Sequence, residues 1–194
     1  MVDRKRIIVG GLPGVGKTTV VAEANAELTR RGHDSTIVIL GTLMFEEAKK
    51  IGVQDRDSMR RLPLDQQRTL QLRAAQRIAG MENEFTFVDT HFLIKTPQGF
   101  FPGLPLDVLQ MLEPTQILMI EAPLEDILAR RLKDGSRKRD AESLEELEEE
   151  LLFSKQFMVV AAANTGATLT IITNRDKATD AAVRDLLCRI GLQL

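Results

Sequence analysis

The sequence predicts an α/β fold in which a parallel β-sheet is covered by helices on both faces. Two patterns predict it. Short β-branched runs alternate with longer segments of helical period along the chain, and strands separated by helices pair in parallel through right-handed crossovers. The first run, residues 7–9, ends abruptly at Gly10-Gly11, as a strand does when it meets a glycine turn. From residue 17 to 31 the apolar Val20, Ala24 and Leu28 recur at helical spacing, Arg30 and Arg31 occupy the last turn, and Gly32 follows as a C-terminal cap. Further strands are expected over residues 36–40, 85–89, 116–121 and 168–173. Helices are expected over 43–51, 64–79, 123–133, 144–163 and 176–190. Ser143 and Glu146 form a capping box for the helix at 144, whose apolar stripe is Leu144, Leu147 and Leu151. Two segments interrupt the rhythm: residues 41–83 place two helices between consecutive strands, and residues 90–107 hold Pro97, Gly99, Pro102, Gly103 and Pro105. Insertions of this kind usually carry function.

Composition bounds the rest. The 194 residues, 21.7 kDa, fit one domain, and a core of that size folds without disulfides or a structural metal. Cys188 is the only cysteine, and His33 and His91 are the only histidines, so no Cys/His zinc cluster can form. Lys+Arg 26 against Asp+Glu 28 gives a net charge of −2, too balanced for a protein that coats nucleic acid. The apolar runs at 117–120 and 157–163 fall far short of a membrane span. The charged start Asp3-Arg4-Lys5-Arg6 leads into no signal-type apolar region. A soluble, cytoplasmic protein is expected.

Gly11-Leu12-Pro13-Gly14-Val15-Gly16-Lys17-Thr18 reads G-x-x-x-x-G-K-T, after a strand and opening a helix, where a phosphate-binding loop belongs. Successive backbone N–H groups in such a loop point at phosphate oxygens, and the helix N-terminus adds positive potential. Lys17 is placed to reach the β- and γ-phosphates and the Thr18 hydroxyl to ligate Mg²⁺. A dinucleotide-binding fold is the alternative for three glycines, but it needs an acidic residue at the end of the second strand. Here that strand ends Leu40-Gly41-Thr42, and Lys17-Thr18 would have no role.

The third strand closes in Asp89, a carboxylate at the sheet edge where ligands of open α/β sheets bind, and so a candidate to hold Mg²⁺ or its water. An aspartate there also serves as a plain turn former. His91 follows it, either a loop histidine or a group facing the transfer site. Arg130, Arg131, Lys133, Arg137, Lys138 and Arg139 form a basic cluster broken by Gly135-Ser136, which reads as a lid over phosphates. For Arg131, Lys133 and Lys138 the plainer reading is a solvated run answering Glu145, Glu146, Glu148, Glu149 and Glu150. No aromatic residue interleaves the cluster, which counts against a nucleic-acid stripe. Arg56 and Arg60 stand at i and i+4 and can hold a second anion, unless Arg60 simply pairs with Asp57.

These segments together resemble the archaeal-type adenylate kinases. The likeness rests on the phosphate loop, on Gly41-Thr42-Leu43-Met44-Phe45-Glu46, on Arg56-Asp57-Ser58-Met59-Arg60-Arg61-Leu62, and above all on Asp89-Thr90-His91 with Lys95-Thr96-Pro97-Gln98-Gly99-Phe100 and Pro102-Gly103-Leu104-Pro105. It continues through Arg130 to Asp140, where Gly135-Ser136 and Lys138 depart from the family's pattern, and through Asn164-Thr165-Gly166-Ala167-Thr168. The resemblance implies a P-loop NTPase fold with a five-stranded parallel sheet in the order 2-3-1-4-5, and one domain with an AMP-binding insertion near 41–83 and a short lid near 130–140. It implies Mg²⁺-dependent conversion of ATP and AMP to two ADP, and a homo-oligomer, commonly a trimer. Thr42, Arg56, Arg60, His91 and Lys95 then border AMP, and Arg130, Arg137 and Arg139 close over the phosphates. Another nucleotide or small-metabolite kinase on the same core, or a non-enzymatic P-loop switch, stays open at this stage.

Overall fold

The computed structural model describes residues 4–96, 99–133 and 143–193. In chain order the elements are β1 (Lys5–Gly10), α1 (Lys17–Arg30), β2 (Ser35–Ile39), α2 (Leu40–Lys50), α3 (Arg56–Arg60), α4 (Leu64–Ala79) and β3 (Phe85–Asp89). There follow β4 (Leu93–Thr96), β5 (Gly99–Pro102), α5 (Leu106–Leu112), β6 (Gln116–Glu121), α6 (Leu124–Lys133), α7 (Leu144–Thr165), β7 (Thr168–Thr173) and α8 (Thr179–Arg189). The main sheet is parallel throughout and runs β2-β3-β1-β6-β7. Setting aside the separate antiparallel hairpin of β4 and β5, this is the order 2-3-1-4-5.

Alternation along the strands builds two cores. Ile7, Val9, Phe85, Phe87, Leu118 and Ile120 point to one face, where they meet Val20, Ala24 and Leu28 of α1 and Leu186 of α8. Ile8, Val88, Ile117 and Met119 point to the other and pack on α4, α5 and the C-terminal half of α7. A sheet buried on both faces needs continuous apolar strands, which is what β1, β3 and β6 supply.

The amino edge of the sheet is tied down by charge. Lys5 Nζ donates to Ile190 O at 2.8 Å, and Arg6 donates to Ala79 O at 2.7 Å and Leu112 O at 3.1 Å, so two neighbouring residues of β1 satisfy carbonyls at the ends of α8, α4 and α5. Cations at helix C-termini also complement the helix dipole. The opposite, carboxyl edge is left for ligands.

Local differences from the sequence expectations have physical causes. Leu40 belongs to α2, not to the preceding strand: the chain turns from Ile39 directly into helix, and Leu40 is buried there. Residues 41–83 hold three helices, the short α3 lying between α2 and α4. The segment 90–107 contains the β4–β5 hairpin and the start of α5, neither of which was expected. α8 begins at Thr179, three residues later than the pattern suggested. The capping box of Ser143 and Glu146 is formed, both hydrogen bonds being present.

On α1, Arg30 and Arg31 donate to the Glu27 carboxylate at 2.6–2.8 Å, which holds its pKa down at about 2 against an ordinary 4.5. A carboxyl depressed on folding stabilises above its unfolded pKa, and that contribution is lost as pH falls through its folded one. Glu27→Gln should therefore lower the urea midpoint at pH 7, and the gap to wild type should close between about pH 4.5 and 2. A pH-independent gap would trace the effect to packing.

Candidate active site

The phosphate loop, residues 11–16, leaves β1 and enters α1. Gly16 stands at the helix N-cap with φ 83°, and a side chain there would strike Asn174 Nδ2; Gly14 has φ 98° and lies against Ile127 and Arg131 of α6. Left-handed backbone with no room for a Cβ admits only glycine. No side chain caps α1, so its first N–H groups remain available to an anion at the mouth of the cleft.

Lys17 is 8 % exposed and forms an ion pair with Asp89, itself 7 % exposed at the carboxyl end of β3. The sheet register sets Asp89 level with Val9 of β1 and Ile39 of β2, so the carboxylate comes to the loop by strand pairing alone. Burial disfavours the ammonium and brings the Lys17 pKa down to about 8. Thr18 is exposed on the same wall.

One cleft of about 1420 Å³ runs from the loop to the α2–α4 insertion and the hairpin. At the far end Arg56 Nη2 donates to Thr42 Oγ1 at 2.8 Å, and the guanidinium lies 5.7 Å from the centre of the Phe45 ring. Arg60 faces the cleft while pairing at 3.1 Å with Asp57 on an exposed surface. His91 is exposed on the cleft wall. β4 carries Lys95 opposite Phe100 in the hairpin register, but its side chain lies outside the described residues, as do Arg137 and Arg139.

Arg130 Nη1 donates to Gly14 O at 3.3 Å and its guanidinium lies 3.8 Å from Asp176 and 4.0 Å from Asp126. Arg131 is a correction. It was expected in a solvated charge run, yet its Nε donates to Pro13 O at 2.7 Å and its side chain covers Gly14. The cause is helical spacing: Ile127 and Arg131 are i and i+4 on α6, and the face that buries Ile127 against the loop carries Arg131 with it.

Two further residues escaped the sequence reading. Asn174, buried just beyond β7, donates Nδ2 to Val15 O at 2.8 Å and so braces the loop from the β7 side of β1, opposite β3 and Asp89. Its position immediately after an expected parallel strand was the available signal. Gln71, buried on α4, donates Nε2 to Gly103 O at 3.1 Å. A glutamine sharing a helix face with Ala74, Ala75 and Ile78 was the signal there. Among the described residues no cluster of three or more His, Cys, Asp or Glu could hold a metal by itself, and no helix is long and apolar enough to cross a membrane.

A phosphate loop at the carboxyl edge of a parallel sheet, with cations converging on one cleft, defines a P-loop nucleotide-binding site. The AAA domain family matches residues 10–148. The adenylate kinase of Methanocaldococcus jannaschii is 46% identical over 185 residues, covering 94% of this chain and 96% of that one; the adenylate kinase of Methanopyrus kandleri is 45% identical over 93% and 95%. The chain belongs to the adenylate kinase family, and so to the nucleoside monophosphate kinases. Among solved structures, the shikimate kinase of Bacteroides thetaiotaomicron superposes with a TM-score of 0.61 at 16% identity, covering 97% of this chain and 99% of that one. The shikimate kinase of Acinetobacter baumannii in complex with shikimate gives 0.62 at 18%, covering 98% and 95%. At those identities the likeness concerns the fold.

Proposed function

We propose that the chain transfers the terminal phosphoryl group of ATP to AMP, reversibly and with Mg²⁺, giving two ADP. The observation that carries this reading is the size and two-ended build of the cleft. Its 1420 Å³ exceeds the roughly 300–1,000 Å³ of a typical single-ligand pocket, with a phosphate loop at one end and a second arginine, Arg56, at the other. A phosphate oxygen of AMP attacks the γ-phosphorus as the bond to the bridging β,γ-oxygen breaks, and ADP leaves. The protein's part is positioning and charge neutralisation. The loop residues Gly11 to Thr18 hold the ATP phosphates, with Lys17 on the β- and γ-groups. Arg130, joined by Arg137 and Arg139, faces the transferring group, and Thr42, Arg56, Arg60, His91 and Lys95 border AMP.

The donor set suits magnesium. Thr18 offers a hydroxyl on the cleft wall and Asp89 a carboxylate close to the loop, hard oxygens of the kind that share this ion with phosphates and water. Mg²⁺ bound there supplies neutralisation of phosphate charge. In this reading the phosphates take over Lys17 from Asp89.

A bisubstrate analogue, two adenosines joined through five phosphates, tests the two-ended site. It should raise the melting temperature more than ATP or AMP alone, because one ligand engages both ends. A shift no larger than that of ATP would mean a single-site protein.

We further infer a homo-oligomer, a trimer by family resemblance, working in the cytoplasm. Leu152, Val159 and Val160 stand 54%, 56% and 58% exposed at helical spacing on α7, beside the open edge of β7 with its exposed Leu169 and Ile171. Exposed apolar residues gathered on one helix and the edge strand that follows it suit an interface between copies of the chain. Light scattering should give about three times the 21.7 kDa chain mass, and a monomer at micromolar concentration would refute this.

A further inference from the structure

We propose that Phe153 of α7 is a positioning residue that holds the β4–β5 hairpin against the acceptor end of the cleft through its contact with Phe100. This rests on that end being the seat of AMP, and it deepens that reading by naming what keeps the wall of the acceptor pocket in place.

The hairpin cannot fix its own position. Its strands are four residues each, and they pair in a two-stranded sheet separate from the parallel one. A ribbon of two strands is at best marginally stable in water, so packing decides where this one sits. Residues directly opposite in an antiparallel pair share a face, and successive pairs alternate between faces. Ile94 stands opposite Phe101 and both line the cleft, Ile94 with 42 % of its surface open. The next pair carries Phe100, whose ring meets that of Phe153 edge to face, with centroids 5.2 Å apart and planes at 60°. One face walls the cleft while the other leans on α7.

The base of the hairpin is held in the core. Phe92 is buried beside Gly10, where a Cβ would run into its ring, and lies 6.2 Å from the Phe157 ring of α7. Gly103 N–H donates to Phe92 O at 2.9 Å and closes the base. Toward the turn, the Thr96 hydroxyl donates to Gly99 O at 2.8 Å, a bond within the hairpin that fixes its shape but not its place. Its place comes from Phe100 on Phe153, one helical turn before Phe157 on the same face of α7. α7 is itself anchored: Met158, Ala161 and Ala162 are buried against the sheet, and Lys155 Nζ pairs with Glu121 Oε2 at 2.7 Å at the end of β6.

Phe153 is 37 % exposed, so its truncation removes a ring from the surface without opening the core. A wall held in this way sets acceptor affinity through the fraction of molecules in which it is in place. An aromatic pair shifts such an equilibrium by roughly 2- to 12-fold.

The test measures KM for AMP and for ATP from initial rates of ADP formation in wild type, Phe153→Ala, Phe153→Tyr, Phe100→Ala and the double alanine variant, with amide hydrogen exchange followed in the hairpin. Phe153→Ala should raise the KM for AMP by about 3- to 10-fold and leave that for ATP within about twofold of wild type. Phe153→Tyr, which keeps the ring, should stay within about twofold for both substrates. On a Phe100→Ala background the loss of Phe153 should add nothing, because its partner is already gone. Hairpin amides should exchange faster in Phe153→Ala while those of β1 do not. Equal rises in both KM values, an unchanged KM for AMP, or effects of the two alanines that multiply would overturn the assignment. Should Phe153→Ala not fold, Phe153→Leu reads the same split, and an unchanged KM for AMP there overturns it. If ADP formation by wild type is independent of AMP, the acceptor reading of the cleft fails and this inference with it, whereas unchanged hairpin exchange in Phe153→Ala overturns the latch alone.

Discussion

Lys17→Ala should abolish phosphoryl transfer, lowering the rate by a factor on the order of 10³ or more, as losing a preorganised cation at a phosphoryl centre does. That is roughly 4 kcal/mol of barrier. The ammonium is the buried cation that enters the phosphate loop from the first turn of α1, and no other described lysine or arginine meets Asp89. Burial disfavours its charged form and brings its pKa down to about 8, and removing it leaves the Asp89 carboxylate buried without its cation, which costs stability but not the fold. The variant should keep a cooperative melt and the wild-type far-ultraviolet dichroism. Near-wild-type turnover in a verified variant would remove Lys17 from its assigned role.

Arg130→Ala is expected to be the second large loss, by a factor approaching the 10³ to 10⁵ measured for arginines that meet a transferring phosphoryl group. The guanidinium hangs over the phosphate loop at Gly14 O, with its carboxylate neighbours at 3.8 and 4.0 Å, too loosely held to fix it there. It is free to exchange a carbonyl for phosphate oxygens. Arg130→Lys should recover little, since an ammonium keeps the charge but not the planar fork. Arg189→Ala serves as the control: its guanidinium pairs with Asp185 at 3.1 Å on an exposed face of α8, and exposed pairs of this type contribute little. Rates of ADP formation at saturating ATP and AMP decide. Comparable, small losses in both variants would mean that Arg130 is a surface charge.

Which parts of this architecture were legible in the sequence follows from how local their causes are. Residues 85–89, 116–121 and 168–173 were bounded correctly because β-branched and apolar runs flanked by turn formers leave little choice, and α4 at 64–79 because Leu70, Ala74, Ala75 and Ile78 recur at helical spacing. The phosphate loop was legible because glycine spacing and the strand–helix context coincide. The β4–β5 hairpin was hidden by its short strands and dense proline and glycine. α5 was hidden because Pro105 stands at its N-cap and only Val108, Leu109 and Leu112 mark its buried face.

The site was legible for its charged residues and opaque for its neutral ones. Lys17, Asp89, Arg56 and Arg130 announce themselves by charge and position, and all four line one cleft. Asn174 and Gln71 act through contacts with Val15 and Gly103, 159 and 32 residues away in sequence, which no local pattern reveals. Arg131 was misjudged for the same reason: its surroundings are set by how α6 lies across Pro13, not by the basic run in which it sits.

The most direct test of the two-substrate kinase reading is a coupled assay of ADP formation from ATP and Mg²⁺ with and without AMP. Rapid ADP production that depends on AMP, with two ADP formed per AMP consumed, is the predicted result. ADP release from ATP at the same rate whether or not AMP is present, or none in either case from protein that binds ATP, would contradict it.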